Sequence, residues 1–122
     1  WGDGFDPSWC CMKESHPGRQ LPAVVDRFPV DQSPYGVRGM AGNAADWCSD
    51  VFSPEGPEFG SARAVGSSVD PAPGGYRVVR GGGWVGSAEQ VRPANRRYLD
   101  QSYRGFDLGF RLVRWQDPPS GR

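Results

Sequence analysis

The stretch Gly39–Asp50 reads GMAGNAADWCSD. Two glycines and an Asn lead into an Asp-Trp-Cys run. Gly and Asn tolerate left-handed backbone, so the stretch opens as a tight turn. Residues 40–52 then hold either a helical turn or a short strand. Three chemistries are open here: metal coordination, reaction at Cys48, or a structural turn that holds a loop-rich fold together. The rest of the chain has to decide.

The chain has 122 residues, enough for one domain with one modest core. Eighteen glycines and twelve prolines make up about a quarter of it, a level at which low-complexity disorder enters consideration. Five Trp, six Phe and four Tyr spread along the chain argue instead for an aromatic-rich globular domain with many turns. Fourteen basic and fourteen acidic residues cancel, leaving no global field for nucleic acid or an anionic membrane surface. No apolar run approaches the ~18 residues of a membrane span. The chain opens on Trp1, which predicts a piece of a longer protein. Cys10, Cys11 and Cys48 are an odd set, and adjacent cysteines pair poorly. They are expected as reduced, partly buried thiols, which leans towards a reducing, cytoplasmic compartment. His16 is the single His, so zinc-finger spacing is lacking.

Turn chemistry fills residues 1–35, with AVVDRF (23–28) as a candidate strand. Residues 53–75, rich in Ser, Pro and Gly, read as an exposed loop. YRVVRGGGW (76–84) reads as a strand ended by a glycine break. SAEQVRPANRRYL (87–99) starts like a short helix that Pro93 interrupts. LGFRLVRW (108–115) alternates and reads as a closing strand, and residues 116–122 as a tail. Short strands, long loops and little helix give an irregular α+β or mostly β domain.

GGGWVG (81–86) fits the spacing of a dinucleotide fingerprint, but no strand-helix-strand unit surrounds it. The better reading is a backbone that passes close to a bulky neighbour, such as an aromatic ring. Arg92, Arg96, Arg97, Arg104, Arg111 and Arg114 crowd the last third among acids and aromatics. They read first as structural ion pairs and stacking partners, and second as an anion site. The glycine-led turn before Asp46 offers hard oxygens of the kind calcium prefers. Cys48 has no sequence-evident base.

Five motifs follow one another along residues 1–114: WGDGFDP, FPVDQSPYGVRGMAGNAADWCSD, RVVRGGGW, RPANRRY and LGFRLVR. In kind and order they resemble the formylglycine-generating enzyme (sulfatase-modifying factor) superfamily. The resemblance implies a C-type-lectin-like, formylglycine-generating-enzyme-like fold over residues 1–115, with the family's N-terminal half absent or supplied by another chain. It implies a calcium site built from the carbonyls of Gly42 and Ala44 and the carboxylate of Asp46. The family usually has Glu at Asp46 and an Asn ligand where this chain has Gly39. The structural alternative is that Asn43 and Asp46 cap backbone groups while Trp47 packs inside.

The family's oxidising enzymes use a cysteine pair, thought to hold copper, at positions that fall here on Gly86 and Val91. No cysteine follows Cys48, so no copper is expected. Sulfoxide synthases of the superfamily need a His-rich iron domain that one His cannot supply. The nearest likeness is to non-catalytic modules of bacterial serine/threonine kinases, which implies a binding or sensory module of a larger protein. The alternatives are a formylglycine-generating oxidoreductase and a retroelement-diversified variable protein. Protein or small-molecule ligands would then meet the face formed by Trp84, Glu89, Gln90, Tyr98, Gln101, Tyr103, Phe106 and Asp107. Aromatic side chains give such faces large contact area at little entropic cost.

Overall fold

A computed structural model describes residues 3–16, 18–55 and 75–114. The loop expected over 53–75, the tail and Trp115 lie wholly or largely outside the described residues. A short turn of 3-10 helix, Pro7–Trp9, starts where the Asp6 carboxylate accepts the Ser8 amide at 2.8 Å. Proline at the first helical position needs no amide partner. Among the described residues four strands follow: β1 (Ala45–Val51), β2 (Tyr76–Arg80), β3 (Arg97–Asp100) and β4 (Leu108–Gly109). They form one sheet in the order β3-β2-β1-β4.

β2 is antiparallel to both neighbours, with Trp47 opposite Val79 and Val78 opposite Tyr98. Between Trp47 and Val51, four steps of β1 face two of β2, so β1 bulges there. A bulge adds local twist and re-aims side chains. β4 runs parallel to β1, with Leu108 opposite Ala45 and Gly109 opposite Asp46. Val78 and Val79 point to opposite faces and both are buried, so β2 is covered on both sides. Cys10, Met12, Ala41 and Val91 pack together in the loop layer, and Ala45 is fully enclosed at the head of β1.

Two expected strands do not form as read. Residues 23–28 carry a β-branched pair, but they form no strand. Val24 and Val25 are 71% and 69% exposed, and the Arg27 amide closes a turn on the Val24 carbonyl. The closing strand pairs only at Leu108–Gly109; beyond it the Arg111 side chain donates to the Arg38 carbonyl. The helical start at Ser87 stays a run of turns, with Gln90 and Val91 amides on the Ser87 carbonyl. No α-helix occurs among the described residues, so the helical part of the α+β expectation is not met there.

Candidate functional site

The opening stretch Gly39–Asp50 is a junction. Gly42 has φ +73°, and a Cβ on it would stand 2.1 Å from the Cys11 carbonyl oxygen, so only glycine fits. Its amide donates to the Gly81 carbonyl at 2.7 Å. Asn43 follows at φ 60°, a region Asn tolerates better than most residues. Its amide donates to the Cys11 carbonyl at 2.7 Å, and its carbonyl accepts the Trp84 amide at 3.0 Å. Its side chain grips Ala23 at two points, accepting from the amide at 2.9 Å and donating to the carbonyl at 3.0 Å. One side chain thereby replaces a strand pairing and pins the exposed 21–25 segment.

Asp46 meets Arg111. The Arg111 Nε lies 2.6 Å from the Asp46 carboxylate, Nη1 donates to the Arg38 carbonyl at 2.7 Å, and Nη2 donates to the Gly39 carbonyl. One guanidinium therefore sits where the turn gathers its oxygens. A divalent cation drawing on Asp46 would share that carboxylate with a fixed positive charge. The Arg111 bond takes one oxygen of the Asp46 carboxylate, so Gly42, Ala44 and Asp46 would offer a cation two carbonyls and a carboxylate already partly neutralised. The described residues hold no cluster of three or more His, Cys, Asp or Glu side chains placed to bind a metal. Beside the guanidinium lies a cavity of about 240 Å³ walled by Val24, Phe28, Asp31, Asp46, Phe110 and Arg111. Asp31 is buried, and burial pushes its carboxyl above the usual carboxylate range, offset in part by the Ala41 and Met40 amides and by Arg111.

The glycine cluster is a packing device. A Cβ on Gly83 would stand 2.6 Å from Asp107, and one on Gly82 would stand 3.0 Å from the Gln90 carbonyl and the Val91 side chain. The close neighbours are thus Asp107 and Val91, not the aromatic ring suggested as an example. Gly86 is buried and its carbonyl accepts the Lys13 amide at 3.0 Å. Val91 is 1% exposed within the core cluster. The three cysteines are free, with Cys10 and Cys11 buried and Cys48 half-buried. Burial, then the Asp31 charge and the neighbouring Cys11, push the Cys10 thiol up to about 12. Such thiols are inert at neutral pH.

The residues expected to form one ligand face fall in separate places. Trp84 and Phe106 lie with ring centroids 5.7 Å apart. Tyr98 joins Phe52 and Tyr76 at 4.3 and 5.3 Å, and the Arg96 guanidinium covers Phe52. Glu89 borders a shallow hollow with Arg92 and Asn95. Gln90 turns inward, its Oε1 accepting the Ser87 amide at 3.0 Å. Asp107 is buried against Gly83, and its carbonyl accepts the Ala45 amide at 2.8 Å. Gln101 and Tyr103 line a separate cleft with Trp47, Arg77, Leu108 and Phe110. Sequence reasoning missed that cleft. Its walls come from four strand regions, and no local pattern joins them. Among the clustered arginines, the described residues show one ion pair, Arg111–Asp46.

A family model described as the sulfatase-modifying factor enzyme 1-like domain matches residues 1–116. The chain is 37% identical over 82 residues to serine/threonine-protein kinase pkn1 of Chlamydia pneumoniae, covering 67% of this chain and 13% of that protein. It is 29% identical over 138 residues to the formylglycine-generating enzyme of Streptomyces coelicolor, covering 99% of this chain and 41% of that protein. It is 30% identical over 95 residues to hercynine oxygenase of Mycolicibacterium smegmatis, covering 75% of this chain and 22% of that protein. The chain thus spans less than half the length of each of these curated relatives.

Proposed function

Because this chain belongs to the sulfatase-modifying factor enzyme 1-like family, we propose that it is a non-catalytic binding or sensory module within a larger bacterial protein. The observation that carries the reading is the packing at Gly86 and Val91. By the resemblance, these are the positions of the enzymes' redox cysteines. Here one is a buried glycine and the other a valine 1% exposed in the core. Neither side chain can ligate a soft metal or exchange thiols. The remaining thiols precede residue 49, and burial raises the pKa of each. The kinase relatives match over only 13–15% of their length, which supports a domain within a multidomain chain.

Binding rests on the aromatic groups of the 84–107 region, on the C-type-lectin-like scaffold that the resemblance implies. The deciding experiment incubates the full-length protein with copper, oxygen and a sulfatase-type cysteine peptide. No aldehyde is expected. Aldehyde that persists after replacement of Cys10, Cys11 and Cys48 would show that the catalytic groups lie elsewhere and would end this reading.

A further inference from the structure

The cleft that the sequence hides lies on one face of the sheet. Trp47 stands opposite Val79, two residues from Arg77, and Leu108 stands opposite Ala45, two residues from Trp47. Alternation therefore sends Trp47, Arg77, Leu108 and Phe110 to the same side. The turn after β3 closes the other wall. Tyr103 folds over Gly105, where a Cβ would meet the ring at 3.1 Å. Arg104 Nη1 donates to the Gln101 carbonyl at 3.1 Å and to the Tyr103 carbonyl at 2.9 Å. These bonds hold the guanidinium at the rim through one nitrogen. Among the described residues it has no carboxylate partner. The cleft measures about 520 Å³, and no Asp or Glu is among its described lining residues. A cleft of this size is in the range of ~300–1,000 Å³ that holds small ligands.

Aromatic walls, the Arg104 guanidinium and no acid among the described lining residues select one chemistry; the second guanidinium, Arg77, already donates to the Ser49 carbonyl. A neutral ligand leaves Arg104 without its best partner, and a cation is repelled. We propose that this cleft binds a small aromatic carboxylate, its ring between Trp47, Tyr103 and Phe110 and its carboxylate on Arg104. The proposal rests on the binding-module reading and names the site and ligand class within it.

The test is calorimetric titration of the full chain with cinnamate and with cinnamamide, its neutral isostere. Cinnamate is expected to bind about tenfold more tightly, the scale of one charge-assisted contact at a half-open site. Arg104→Gln removes that preference and leaves cinnamamide binding unchanged. Tyr103→Ala weakens both ligands, and Tyr35→Ala and Arg92→Gln, both outside the cleft, change neither. Equal affinities in the unsubstituted chain overturn the proposal. So does a preference that survives Arg104→Gln, or a loss caused by Tyr35→Ala. Aldehyde formation in the peptide assay sinks the module reading on separate grounds. Failure of cinnamate with no aldehyde formed sinks only the cleft.

Discussion

Replacing Arg111 with Met tests whether its guanidinium is a structural cation or a surface decoration. The substitution keeps most of the aliphatic stem and deletes all three polar contacts. An exposed ion pair alone is worth ~0.2–1 kcal/mol. Hydrogen bonds from a charged donor to carbonyls add ~1.5–3 kcal/mol each when well shielded. The Arg111 side chain is 38% exposed, so both must be discounted. A loss of ~2–3 kcal/mol follows for Arg111→Met, against at most ~1 kcal/mol for Asp46→Asn, which removes only the charge partner. For a domain of this size that separates the two variants by ~5–15 °C in Tm. Urea unfolding followed by Trp fluorescence measures both, and the double variant gives the coupling. Adding calcium or a chelator is expected to leave the unsubstituted chain's midpoint unmoved. The reasoning fails where both variants lose the same small amount and high salt erases it, or where calcium alone raises the midpoint by several degrees.

Glycine replacements should divide by surroundings. Gly18→Ala, at φ +80° with nothing within 4 Å, costs only backbone strain of ~1 kcal/mol, whereas Gly42→Ala adds overlap with Cys11 and should abolish the cooperative transition. The Ala23 clamp predicts that Asn43→Ala destabilises by ~2 kcal/mol and that Asn43→Gly, which relieves the left-handed φ, recovers only part, both read by urea midpoints. Alkaline melting should expose Cys10. Its folded pKa is raised, so its contribution is full below 9.0 and is lost as pH climbs towards about 12. The slope from this one group is ~1.4 kcal/mol per pH unit. Cys10→Ala should show a correspondingly flatter decline than the unsubstituted chain, and parallel curves would contradict the assignment.

The strand Tyr76–Arg80 was legible because a β-branched pair ends in glycines, and the close approach at Gly82 and Gly83 was legible because only glycine permits it. AVVDRF shows why propensity alone misleads: β-branched residues need a partner strand, and the neighbouring Asn43 side chain meets Ala23 instead. Nor does the alternation of LGFRLVRW reveal that β4 pairs over only Leu108–Gly109. Asp107 looked like a surface acid because nothing in its local sequence announces the packing against Gly83. Arg111 and Asp46 stand 65 positions apart, and Trp47 reaches Tyr103 only through the sheet order. Such meetings belong to topology, not to local pattern.

The sheet order has one more consequence. β1, the only strand from the first half of the chain among the described residues, lies between β2 and β4, and both of those come from the second half. Neither half can complete the sheet without the other. Two polypeptides divided between Val51 and Tyr76 should therefore be unstructured apart and recover the fold on mixing, which makes this domain a natural scaffold for a split reporter.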